Sequence, residues 1–155
     1  MRTVIKIGSS TLTYSNGCVN IRRIEALCKI ISDMMNSGCE VILVSSGAIA
    51  TGVGKLNLRE KPKDIAGKQA MAAIGQCELM YLYDKEFSLY NHTVAQILLT
   101  APDLDSPDRH KKFENTIEKL LNTALSRLLM KTTQLQLKKS NSVTTTRSLR
   151  ELLQA

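Results

Sequence analysis

The chain has no apolar run of membrane-spanning length, and Met1-Arg2-Thr3 leads straight into a strand-like stretch with no signal-peptide core. A membrane-bound or exported protein is therefore not expected, and the reading is cytoplasmic. No CxxC occurs, and Cys18, Cys28, Cys39 and Cys77 are dispersed without a histidine at ligand spacing. Reduced, mostly buried thiols are expected and no metal site. There is no GxxxxGK[ST] and no GxGxxG, so neither a P-loop nor a standard dinucleotide fingerprint is present. Glycine is missing after Gly75, and from Thr123 onward Glu151 is the one acid. Against it stand Arg127, Lys131, Lys138, Lys139, Arg147 and Arg150, so this tail carries +5 of the net +7. A charge of +7 over a 155-residue chain would suggest a nucleic-acid partner. Its confinement to the tail argues against one. The chain has two parts of different character, joined near Asn122.

What is present begins with Val-Ile-Leu-Val at 41–44, a buried strand by composition, which stops at Ser45-Ser46-Gly47-Ala48. A strand ending in small residues can present backbone N–H groups to an anion, or be an ordinary turn into a helix. At the N-terminus, Thr3-Val4-Ile5-Lys6-Ile7 is a second strand that reaches Gly8-Ser9-Ser10 at once. Lys6 sits in an apolar run two residues before the glycine. It is either a phosphate-facing lysine or a lysine on the solvent face of an edge strand. Residues 20–36 carry Ile24, Leu27, Cys28, Ile31, Met34 and Met35 at helical spacing, with Asn20 as N-cap and Ser37-Gly38 as stop. Strand, helix, strand with a short return predicts a parallel βαβ unit.

Residues 51–63 read as a polar loop. Asp64 caps a helix over 65–90 whose first half is small-faced, through Ala66, Gly67, Ala70, Ala72, Ala73 and Gly75. Tyr81, Tyr83, Phe87 and Tyr90 in its second half read as packing, and His92 as a surface or capping histidine. A third strand is expected over 93–100. An acidic loop with Pro102, Asp103, Asp105, Pro107 and Asp108 then leads to a helix over 111–122.

Four motifs in register carry a resemblance: Val4-Ile5-Lys6-Ile7-Gly8-Ser9-Ser10, Val44-Ser45-Ser46-Gly47-Ala48-Ile49-Ala50, Lys68-Gln69-Ala70-Met71-Ala72-Ala73-Ile74-Gly75-Gln76 and Gln96-Ile97-Leu98-Leu99-Thr100. Together they resemble the N-terminal part of the glutamate 5-kinases, within the amino-acid kinase superfamily, over residues 1–122. The resemblance implies an α/β fold with a mainly parallel sheet between helices. It implies transfer of the ATP γ-phosphoryl group, with Mg2+, to the side-chain carboxylate of L-glutamate, giving glutamyl 5-phosphate, the first step of proline biosynthesis. Lys6 would be catalytic and meet the ATP phosphates together with Gly8 and Ser9. Ser46, Gly47 and Ala48 would hold glutamate. A homo-oligomer is implied for the intact family. The alternatives are a superfamily member with another acidic substrate, and a non-catalytic basic adaptor that uses its tail on nucleic acid.

The resemblance stops after Asn122. There the family continues with a strand of the type Gly-Val-Ile-Pro-Ile-Ile and an Asn-Glu-Asn-Asp-Thr-Val motif that binds glutamate. Residues 123–135 can be written in synonymous codons that, read two bases later, give both motifs. Met130 leaves no choice of codon: its ATG requires a codon ending in AT followed by one starting with G, and Asn-Glu supplies both. The same offset continues through Leu149. Residues 123–155 are therefore expected to be an out-of-frame translation, following loss of about one base near the Asn122 codon. Such a tail is expected to pack poorly, with at most a short helix over 124–132. It would leave the sheet with an unsatisfied edge and the chain inactive.

Overall fold

Every second residue of the first strand is enclosed, and that alternation sets the architecture. The computed structural model describes residues 2–14, 16–99, 106–122 and the backbone of 128–133. In chain order these form β1 (Arg2–Ile7), α1 (Ser9–Leu12), α2 (Ile21–Asn36), β2 (Glu40–Ser45), α3 (Ala48–Lys55), α4 (Ile65–Ser88), β3 (Val94–Leu99), α5 (Pro107–Asn122) and β4 (Leu128–Thr133). The strands pair in the order β1-β2-β4-β3, all parallel.

In β1 and β2 the enclosed residues lie side by side: Thr3 beside Val41, Ile5 beside Leu43, Ile7 beside Ser45. Two helices cover this face. α2 contributes Ile24, Leu27, Cys28, Ile31 and Met35, and α4 contributes Leu79, Leu82, Tyr83 and Phe87. Those residues recur every three or four positions, which is the stripe a helix needs to bury one side. Asn20 caps α2, its side chain accepting from the Arg23 N–H, and Asp64 does the same for α4 from the Gly67 N–H. Gly38, at φ +88°, closes α2 with its N–H on the Met35 carbonyl. On the opposite face, Arg2 of β1 binds Glu40 at 2.8 Å and Glu118 of α5 at 2.7 Å. The mainly parallel sheet between helices is thus present.

Several expectations are corrected. Residues 51–55 are helical rather than loop, because α3 follows Gly47 directly and runs to Lys55. Its glycines do not break it, since each meets a facing backbone: Gly52 that of Met71 in α4, and Gly54 that of Gly17 and Cys18. α5 starts at Pro107, so Pro107 and Asp108 belong to the helix; proline suits a first helical turn, where its missing N–H has no partner to lose. Of the cysteines, Cys28 alone is buried, while Cys18 and Cys39 are half-buried and Cys77 is exposed. Among the aromatics, Tyr83 and Phe87 pack in the core, but Tyr81 is exposed. His92 is half-buried and caps through its backbone, its N–H reaching the Phe87 carbonyl at 3.1 Å.

The tail brings the largest correction. Residues 128–132 are strand rather than helix, and β4 lies between β2 and β3, pairing with both. The gap foreseen next to β2 is filled. Extended backbone offers the same donors and acceptors whatever its side chains, so a slot between two parallel strands can take a chain that merely tolerates β geometry. Residues 124–127 of the expected helix, and Pro102, Asp103 and Asp105 of the acidic loop, lie outside the described residues.

Candidate functional site

Adjacent parallel strands deliver their following loops to one edge of the sheet. β1 ends at Ile7 and β2 at Ser45, and these two residues are register partners. The Ser46 N–H donates to the Ile7 carbonyl at 3.0 Å, which ties the second loop to the first strand. Gly47 then turns at φ +113°, in the left-handed region where a side chain is strained. The place its Cβ would take lies 3.5 Å from the Ser9 Cα. Gly8, Ser9, Ser46 and Gly47 are therefore brought together, and Gly8, Ser9 and Ser10 are exposed there.

Ala48 opens α3. Because the N-cap is a glycine, no side chain caps the first N–H groups of that helix. Uncapped donors at a helix start, with the positive end of its dipole, suit an anion. Lys6 is paired with Val44, one step before the Ile7–Ser45 pair, and is exposed on the edge strand. It projects to the sheet face opposite Ser45, since neighbours along a strand alternate.

The loop is held from beneath. α3 and α4 meet backbone to backbone: a Cβ on Gly75 would overlap the Ala48 carbonyl oxygen and the Gly52 nitrogen, and one on Gly52 would overlap the Met71 carbonyl oxygen. Within the Ala-rich motif at 68–76, Gly75 owes its lack of a side chain to this contact, which braces the first turn of α3, whereas Ala70 and Ala73 are exposed. A second support was not foreseen from the sequence. Ser45 Oγ lies 3.1 Å from Tyr83 Oη and donates to the Ser46 carbonyl at 3.3 Å. Both side chains are wholly enclosed, and burial pushes the Tyr83 phenol well above its ordinary range. The available signal was a tyrosine in an apolar helical stripe, since its buried hydroxyl must find a partner. Among the described residues no group of three or more His, Cys, Asp or Glu is placed to hold a metal ion.

Residues 1–134 match the amino acid kinase family. The glutamate 5-kinase of Clostridium perfringens is 53% identical over 124 residues, covering 80% of this chain and 46% of that protein. That of Listeria welshimeri is 50% identical over 124 residues, covering 80% and 45%. That of a Thermoanaerobacter species is 49% identical over 121 residues, covering 78% and 32%. The chain spans less than half the length of these curated relatives. Among solved structures, a carbamate kinase from Giardia lamblia, thiocarbamoylated by disulfiram on a cysteine, superposes with a TM-score of 0.50 at 12% identity. That match covers 92% of this chain and 65% of the other, and it speaks to the fold alone.

Proposed function

The chain belongs to the amino acid kinase family, and from that premise we propose that residues 1–122 are the N-terminal part of a glutamate 5-kinase. The reaction is ATP-dependent phosphorylation of the L-glutamate side chain in the cytoplasm. The observation that carries this reading is the convergence of the Gly8–Ser9 and Ser46–Gly47 loops at one sheet edge, joined by the 3.0 Å bond from Ser46 to Ile7. It is the donor-rich wall that a phosphate and a carboxylate both need.

In the proposed step a side-chain carboxylate oxygen of glutamate attacks the γ-phosphorus of ATP. The bond from that phosphorus to the β,γ-bridging oxygen breaks, and ADP leaves. A glutamate carboxylate is ionised at neutral pH, so no general base is required. What the protein must supply is alignment and charge. Ser46, with the Gly47 and Ala48 N–H groups, orients glutamate. Gly8 and Ser9 let the phosphates approach the backbone, and the exposed Lys6 neutralises charge on the transferring group. Mg2+, which screens the phosphates when bound, would come with the nucleotide. These residues form one wall of a site whose other wall lies in the half of the relatives that this chain does not match.

The reading of residues 123–155 as out-of-frame is part of this proposal. It is supported by the change of composition at Asn122 and by the coverage of 80% of this chain in the matches to the Clostridium perfringens and Listeria welshimeri proteins, although the family match runs on to residue 134. To test the site, the frame is restored and the protein assayed for glutamate-dependent ADP release. Lys6→Ala is expected to lower kcat by about a hundredfold or more, the scale of a lost electrostatic contact in the transition state. Ser46→Ala is expected to raise the KM for glutamate with less effect on kcat. Full activity in both variants sinks the assignment of these residues.

A further inference from the structure

We infer that Ser45 and Tyr83 are positioning residues that aim the Gly47 backbone N–H outward, toward the mouth between the two loops, as a donor for a substrate carboxylate. The identity of that substrate rests on the proposed function, but the orientation of the donor does not.

A serine hydroxyl has one proton. Ser45 gives it to the Ser46 carbonyl, so in its contact with Tyr83 it must accept, and the Tyr83 hydroxyl is the donor. The proton chain therefore runs one way, from α4 to the end of β2 to the loop. The Ser46 carbonyl and the Gly47 N–H belong to the same peptide unit. That unit is trans, as are all described peptide bonds, so the two groups point in opposite directions. Holding the carbonyl toward the enclosed Ser45 turns the N–H away from the core. The preceding N–H, on Ser46, is already used by the Ile7 carbonyl, whereas the Gly47 N–H meets no acceptor among the described residues.

An anchor is needed because glycine accepts either sign of φ. The Ser46–Gly47 peptide can rotate at little steric cost, and a flipped unit would present a carbonyl oxygen to an anionic ligand. Ser45 and Tyr83, 1% and 0% exposed, lie where water cannot compete for the bond. The strand-end serine and the tyrosine thirty-eight positions later together act on the loop without touching substrate.

The test is the orientation of the Ser46–Gly47 peptide plane in the 155-residue chain, read from the residual dipolar coupling of the Gly47 amide. Ser45→Ala is expected to change that coupling while those of α2 amides stay in place, and Ser45→Thr, which keeps the hydroxyl, is expected to preserve it. The Ser45→Ala, Tyr83→Phe double variant leaves neither hydroxyl buried alone, so it guards against loss of folding. It should recover stability relative to Ser45→Ala yet keep the altered plane. A purely structural pair would recover both, and an unchanged plane in Ser45→Ala and in the double variant overturns the inference. In the frame-restored protein, L-glutamate should shift the Gly47 amide resonance, with affinity about tenfold weaker in the double variant, as for a lost bond to a charged group. If the plane responds to the substitutions but glutamate never moves the resonance in the unsubstituted protein, the glutamate assignment fails and the positioning role stands.

Discussion

Cys28 and Tyr83 lie beneath the same sheet face, and burial is the first cause that pushes both acids far above their ordinary ranges; for Cys28 the nearby Glu86 adds to it. A raised value in the fold means that the folded state keeps a proton the unfolded state gives up. The stabilisation is complete below the unfolded thiol value of about 8.5 and declines as pH rises beyond it, with tyrosine adding to the decline above about 10. Urea midpoints should therefore fall steadily between pH 8 and pH 10.5, and Tyr83→Phe should flatten the upper part of that fall. A thiol reagent offers a second check. Exposed Cys77 should react in the folded protein, while Cys28 should react only after unfolding. A midpoint that does not move over this range would mean that neither group is enclosed as described. At this scale the sequence was partly legible: the apolar spacing placed Cys28 in the core, but nothing in dispersed cysteines said that the other three would reach the surface.

The elements that shape the site are α3 and α4, and they touch through glycine. Adding a methyl group at Gly75 drives it into the Ala48 carbonyl, a backbone atom that cannot turn aside. Gly75→Ala should therefore destabilise the fold by about 1–3 kcal/mol, the range for overpacking a tight contact, and should disturb the Gly47 and Ala48 amides before those of α2. Chemical denaturation and amide shifts would check both parts, and an unperturbed loop would uncouple α4 from it. The sheet offers a companion prediction. β3 is joined to the rest of the sheet through β4 alone among the described strands. Met130→Pro removes a donor from the middle of β4 and should strip hydrogen-exchange protection from Val94–Leu99 while leaving the β1–β2 pair protected. Much of this level could be read in advance. Caps at Asn20 and Asp64, the stripe of α2 and the two strand ends all follow from local rules, and the structure has them. Helix α3 could not, because Gly52 and Gly54 weigh against a helix unless a facing backbone requires them. Strand β4 could not either, because its place is set by unpaired backbone on both neighbours rather than by its own residues.

For the whole molecule the decisive quantity is how much of a two-walled site one chain holds. The matched region amounts to 46% of the Clostridium perfringens relative, and it brings one donor-rich edge, Gly8–Ser9 beside Ser46–Ala48. In-line transfer needs donor and acceptor fixed against each other from both sides, and the gain from such fixing is lost when either partner is free to turn. The 155-residue chain should thus release no glutamate-dependent ADP above background, even with Mg2+ and ATP at saturating levels. Restoring one base near the Asn122 codon should replace the basic tail with a Gly-Val-Ile-Pro-Ile-Ile strand and the residues beyond it. On the out-of-frame reading, that strand is expected in the slot that β4 occupies, between β2 and β3. The replacement should keep the sheet order while adding the second wall, so activity should appear together with higher thermal stability. The two readouts separate the ideas being tested. Activity in the unrepaired chain would defeat the half-site argument, whereas a repaired chain that gains neither activity nor stability would defeat the out-of-frame reading and leave residues 123–155 as a native part of the fold.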